Sequence, residues 1–242
     1  MTWTFSTSLD DFRDGGPVGG AFLQTPPFDP RLSFMPEDAA AELAVELAAA
    51  GPGFTTVTGV GAAADTVRAF AAAWTAATGT EQSVRVDERL YRLGELTDPP
   101  RPPAGRHRLA GPADRDLAIR WYREFGAEAK VELPNVPRAV DERIAAGGLH
   151  LWEDEGRPVA LAASTPVLAG MSRIGLVYTP TDRRGRGYGS AVTAAASAYV
   201  LTQGAEEVLL YTDLSNPTSN SIYQQIGYLP VEDCLIVDFR AR

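Results

Sequence analysis

Only one cysteine and two histidines occur in the 242 residues. The single cysteine, Cys234, excludes an intramolecular disulfide framework. Its neighbours Leu235, Ile236 and Val237 point to a buried strand position rather than to a nucleophile. Neither His107 nor His150 has a second ligand at metal-binding spacing, so no metal is expected. Long apolar runs are missing too: no stretch approaches the roughly 18 residues of a membrane span. The opening MTWTFSTSLDDF lacks a basic region ahead of an apolar core, which argues against a signal peptide. A cytoplasmic location follows by default. Positive charge is in short supply, with 22 Lys and Arg against 31 Asp and Glu and a net charge of -9. That balance disfavours partnership with nucleic acid or an anionic membrane, but it is compatible with one local positive pocket.

What is present is a globular composition, 45% hydrophobic with aromatics throughout, enough for one large or two small cores. Prolines cluster in TDPPRPPAGR (Thr97–Arg106), where they deny helix and interrupt strand ladders. The chain therefore divides into an N-terminal α/β region over 1–97, a stiff connector over 98–107 and a second domain over 108–242. The first region reads strand (19–25), helix (36–51, with Leu43 and Leu47 on one face), strand (from Phe54), helix (61–79, striped by Val67, Phe70 and Trp74) and strand (83–93). The second begins with helices near Pro112 and Val136. Three antiparallel strands follow, LHLWED, PVALAASTP and SRIGLVYTP. Next come a helix from Tyr188, the strand EEVLLYTD, a short helix N-capped by Asn216 with Pro217 at N1, and a last strand at CLIVDF. Both halves contain the series strand, helix, strand, helix, strand. Two readings of that stay open: ordinary α/β alternation, or a truncated and degenerate first copy.

In an acidic chain, the stretch YTPTDRRGRGYGSAV (Tyr178–Val192) gathers Arg183, Arg184 and Arg186 around Gly185, Gly187 and Gly189 at a strand-to-helix junction. The first N–H groups of a helix lack intrahelical acceptors, and with the helix dipole they form an anion site. The glycines let the backbone approach a bulky ligand, and the arginines can add charge-assisted hydrogen bonds. A phosphate or pyrophosphate fits; a tight solvated turn is the plainer alternative. A Walker loop would need Lys-Ser or Lys-Thr after its last glycine, and a dinucleotide fingerprint started at Gly185 would need glycine at 190.

This stretch resembles the acetyl-coenzyme A loop of the GCN5-related N-acetyltransferase (GNAT) superfamily, with Arg184, Gly187 and Gly189 at the signature positions. Downstream, NPTSNSIYQQIGY is similar to the family's second signature at Asn216, Asn220, Tyr223, Gly227 and Tyr228. The resemblance covers about Arg108 to the C-terminus; some members carry tandem, partly degenerate copies. It implies an α/β (mixed α+β) acyl-CoA N-acyltransferase fold with a central mixed, mostly antiparallel sheet. It further implies acetyl-CoA as co-substrate, bound where IGLVY and EEVLLYT splay apart. The implied contacts are Leu176, Val177 and Tyr178 along the pantetheine arm, with Arg184, Gly185, Arg186, Gly187, Tyr188, Gly189 and Ser190 around the pyrophosphate. Asn216, Asn220 and Tyr223 would lie on the cofactor side of the next helix.

The implied reaction is direct acetyl transfer to the primary amine of a small molecule or peptide, with Tyr223 as general acid to the departing thiolate. Packing is the plainer role for that tyrosine. Many members place a glutamate on or near the strand before the phosphate loop; MSRIGLVY offers Arg173 instead. Glu124 and Glu128 read as surface charges that could reach the acceptor cleft, and His150 as facing either core or cleft. The departure at Arg173 favours a second class, a non-catalytic acyl-CoA-binding or sensing domain, while the retained Tyr223 argues against it. For the N-terminal half three roles stay open: roofing the acceptor cleft, forming a homodimer, or stabilising the fold.

Overall fold

The computed structural model describes residues 2–5, 19–24, 29–50 and 57–242. The chain forms two compact units. The first comprises residues 1–89, 213–215 and 232–242, and the second residues 90–212 and 216–231.

In the first unit, strands β1 (Thr2–Phe5), β2 (Gly20–Leu23) and β3 (Arg31–Leu32) pair antiparallel in succession. β4 (Gly59–Ala63) joins β3 in parallel through Gly61 and Arg31. The unit holds residues 81–89 of β5 (Glu81–Leu93) and residues 232–240 of the last strand, β11 (Tyr228–Arg240). β11 runs antiparallel to β4, from Cys234↔Ala63 to Asp238↔Gly59. Helix α1 (Glu37–Ala50) buries Ala40, Leu43, Ala44 and Leu47, the i, i+3, i+4, i+7 face of an amphipathic helix. Helix α2 (Ala64–Thr78) buries the expected stripe Val67, Phe70 and Trp74. The Phe70 and Trp74 rings stack at 6.0 Å, and Phe239 meets Trp74 at 5.7 Å.

The strand expected over 19–25 is found as β2, the two helices as α1 and α2 and the closing strand as β5, while the short β3 between β2 and α1 is an additional strand. One strand is displaced. The β-branched FTTVTG was expected as the middle strand, with a helix from Gly61. Residues 54–56 lie outside the described residues, β4 occupies Gly59–Ala63, and α2 starts only at Ala64. Close approach requires one of the glycines that disguise β4. A Cβ on Gly59 would sit 2.6 Å from the Val237 carbonyl oxygen, whereas one on Gly61 would meet only the end of the flexible Arg31 side chain.

In the second unit, β6 (Arg106–Leu109), β7 (Leu149–Asp154), β8 (Arg157–Ser164) and β9 (Met171–Tyr178) are antiparallel neighbours, and β10 (Glu207–Asp213) adds to β9 in parallel. The sheet is mixed and mostly antiparallel, as expected. Its strands alternate between two cores. Leu149, Leu151, Leu161 and Ala163 pack with α3 (Arg115–Ala129) and α4 (Val136–Ala145). Ala160, Ala162, Ile174, Val208 and Leu210 pack on the other side with α5 (Tyr188–Thr202) and α6 (Pro217–Gln225). Strand β6 was not expected: it begins at Arg106, inside the stretch read as connector. Arg108 anchors it through Glu153 at 2.9 Å and Asp114 at 2.7 Å.

His150 faces the core and is completely buried. Its Nδ1 lies 3.1 Å from His107 Nε2 and its Nε2 lies 2.9 Å from Ser164 Oγ, while the Tyr199 ring meets it edge-on at 5.2 Å. Burial, then the neighbouring His107, lowers its pKa to about 3. Cys234 sits half-buried in β11, and burial raises its thiol pKa to about 11, far from a nucleophile's range.

Candidate functional site

The site begins where β9 and β10 part. Their parallel register covers only Met171↔Glu207 to Ile174↔Leu210, although β9 runs on to Tyr178 and β10 to Asp213. At the same level β9 slips against β8: Gly175 pairs Ala163 and Tyr178 pairs Leu161, so Leu176 and Val177 oppose Ala162 alone. Leu176 takes φ 55°, a bulge that turns β9 away and leaves backbone groups of 175–178 without strand partners on the β10 side. Leu176 and Val177 are half-buried and Tyr178 is buried, all three on the part of β9 that has left β10.

β9 leads through residues 179–187 into α5. Gly185 and Gly187 adopt φ 75° and 82°, and Gly187 caps the helix without any side-chain hydrogen bond. The first intrahelical bond is Ala191 N–H to the Gly187 carbonyl at 3.0 Å, which leaves the N–H groups of Tyr188, Gly189 and Ser190 directed at the helix mouth. Ser190 is 6% exposed, and its Oγ is buried with no hydrogen-bond partner among the described residues. Three backbone donors, a helix N-terminus and an orphaned hydroxyl fit a phosphate group.

The arginines divide their work. Arg184 donates through Nε to the Thr179 carbonyl at 2.9 Å and pairs with Glu128, its guanidinium 5.9 Å from the Tyr178 ring centre. It braces the base of the loop. Arg186 is exposed at the tip. Glu124 and Glu128 are tied to the site as well, since the Tyr178 hydroxyl donates to both, at 3.0 and 3.3 Å. Burial and these carboxylates push the Tyr178 phenol well above its usual range. Tyr188 donates to Asp154, which raises its phenol too.

Helix α6 is positioned by its own asparagines. Asn216 Oδ1 accepts from Ser219 N–H at 3.1 Å, the expected N-cap. Asn220 donates through Nδ2 to the Asn216 carbonyl at 2.8 Å, and its Oδ1 accepts from the Tyr91 hydroxyl at 3.0 Å. Tyr91 is fully buried, and its alternation within RLYRL was the one sequence signal of that role. Tyr223 is 8% exposed and meets Tyr228 edge-on at 6.2 Å. Burial raises its phenol pKa to about 12, against a small lowering by Ser219, so it keeps its proton at neutral pH. Gly227 ends the motif at φ 98°, where any side chain would run into the Glu95 carbonyl. Among the described residues no group of three His, Cys, Asp or Glu could hold a metal, and no helix is long and apolar enough to cross a membrane.

Residues 154–237 match the family described as FR47-like protein. The chain is 42% identical over 64 residues to a mycothiol acetyltransferase of Salinispora tropica, which covers 24% of this chain and 20% of that one. To a mycothiol acetyltransferase of Renibacterium salmoninarum it is 31% identical over 93 residues, covering 37% of this chain and 25% of that one. The match thus spans about a fifth to a quarter of these relatives' lengths. A solved acetyltransferase from the GNAT family of Colwellia psychrerythraea superposes with a TM-score of 0.62 at 14% identity, over 100% of this chain and 85% of that one. With its split parallel pair, bulge and glycine-arginine loop, the chain has the acetyltransferase fold of the GCN5-related superfamily.

Proposed function

We propose that the chain is an N-acetyltransferase that moves the acetyl group of acetyl-CoA directly to a primary amine. The observation that carries this reading is that β9, once parted from β10, leads into the open helix mouth at residues 187–190. One end suits an extended arm that pairs with strand backbone, the other a pyrophosphate. The matches to mycothiol acetyltransferases support the activity class.

Acetyl-CoA supplies the acetyl group as an activated thioester. In the transfer, the amine nitrogen bonds to the acetyl carbon, the carbon–sulfur bond breaks, the amine gives up a proton and the thiolate takes one. The protein's part is to hold the pyrophosphate with N–H groups of 187–190, orient the arm along 176–178 and supply the thiolate's proton from Tyr223. A buried phenol with a pKa near 12 is protonated at neutral pH and suits a donor role. No carboxylate stands on β9 beside the split, and Glu124 and Glu128 already accept from Tyr178.

Arg173 in place of a carboxylate favours a second reading, a domain that binds acyl-CoA without transferring it. Titration with acetyl-CoA, followed by an amine screen read as free thiol, separates the two. Binding with thiol release supports transfer, binding without release across the panel supports the second reading, and no binding removes both. Under either reading, we propose that the N-terminal half descends from a truncated copy of the same element series.

A further inference from the structure

Resting on the transfer reading, we infer that the acceptor amine also carries a carboxylate, and that Arg173 holds it as a specificity-determining residue. Arg173 is the register partner of Leu209, one pair before the last, Ile174↔Leu210, at which the strands part. Partners in a parallel pair share a face, so Arg173 stands with Leu209 and, by alternation, with Tyr211. Ser172, Ile174, Val208 and Leu210 are buried on the opposite side. Arg173 is exposed, Tyr211 is 38% exposed, and the guanidinium carbon lies 5.9 Å from the Tyr211 ring centre. An aromatic ring fixes the guanidinium plane and leaves its N–H fork free for a planar anion.

Gly175 links this residue to the site of transfer. A Cβ built there would meet a single atom within 4 Å, the Arg173 Nε at 3.9 Å. The space above the bulge is open, and the guanidinium borders it. Among the described residues no carboxylate pairs with Arg173, whereas Glu207 on the same face is within 3.6 Å of Arg92. In a chain of net charge -9, Arg173 therefore offers a guanidinium beside the split that no carboxylate holds in an ion pair among the described residues. Such a charge repels an ammonium and disfavours polycationic acceptors. A carboxylate close to the amine, as in an amino acid or at a peptide end, gains a bidentate partner and brings its nitrogen over Gly175.

The test pairs each common amino acid with its carboxamide, which keeps the amine and removes the anion. The parent protein should favour the acid by about 10- to 100-fold in kcat/KM, the size of a hydrogen-bonded charge pair. Arg173→Ala should erase that preference through the acceptor's KM while the KM for acetyl-CoA stays put, and Arg173→Lys should keep part of it. Calorimetric binding of the amino acid to the CoA-loaded protein should be lost in parallel. Equal use of acid and amide by the parent, or a preference that survives Arg173→Ala, overturns the inference. So does acetyl-CoA binding without turnover of any pair, which leaves the coenzyme site standing. Failure to bind acetyl-CoA overturns the transfer reading and this inference together.

Discussion

In the first unit β4 ends at Ala63 and α2 begins at Ala64, with no residue between them; in the second, residues 179–187 separate β9 from α5. Each junction brings a helix N-terminus to the end of a strand, and neither helix has a side-chain cap. The first turn of α2 carries Asp65, paired with Arg68 at 2.7 Å, while the first turn of α5 carries no acid. A carboxylate at the helix N-terminus takes the favourable dipole interaction for itself and repels a phosphate. On the proposed reading, the same strand-to-helix order makes an anion site only where the glycine-arginine loop is inserted.

The largest way to break this contrast is to put an acid at the second junction. Gly187→Glu places a carboxylate at the helix mouth and should weaken coenzyme A binding by at least about 100-fold, measured by calorimetry. Gly187→Ala is the control. At φ 82°, with the Arg101 carbonyl 3.3 Å from the new Cβ, it should cost about 1–2 kcal/mol of stability in urea unfolding. Its loss of coenzyme affinity should be far smaller than that of the glutamate.

Next in size is Tyr223→Phe. Turnover should fall about 100-fold with coenzyme A affinity nearly unchanged, because a proton donor acts in the transition state and not in binding. Steady-state rates together with a titration decide it. Unchanged turnover where chemistry limits the rate leaves Tyr223 a packing residue.

A third expectation sets the second unit apart, since both histidines lie there. The pKa of His150 is about 3 in the folded chain, depressed from 6.5. Below pH 6.5 the unfolded chain takes up a proton that the folded chain refuses. Stability is therefore full above pH 6.5 and falls as pH drops towards 3, by up to about 1.4 kcal/mol per unit for one proton. Urea unfolding at pH 7.5 and 5 should show it, with a shallower dependence in His150→Gln. The smallest effect belongs to the first junction: Asp65→Asn should leave coenzyme A affinity unchanged.

The parts legible in the sequence are those whose chemistry is local. The junction between β9 and α5 was readable because its glycines break the strand just before the helix pattern begins, and the α6 cap because Asn216-Pro217 is a start signal by itself. The stripe Val67, Phe70, Trp74 was readable from its spacing. What escaped depends on distant partners. β4 hides behind glycines, one of them demanded by the Val237 carbonyl, and β6 is a charged tetrapeptide whose partners Asp114 and Glu153 lie outside it. His150 could not be assigned to core or cleft until His107, Ser164 and Tyr199 were seen around it. The links from Tyr178 to Glu124 and Glu128, and from Tyr91 to Asn220, join residues too far apart in the chain for any periodicity to reveal.

The most direct measurement is a calorimetric titration of the whole chain with coenzyme A, in which stoichiometry and affinity are read together. If the inserted loop makes the site, one coenzyme binds per chain, Gly187→Glu abolishes most of the affinity, and Asp65→Asn changes neither number. Two bound coenzymes per chain, or a single site that survives Gly187→Glu, would contradict the account.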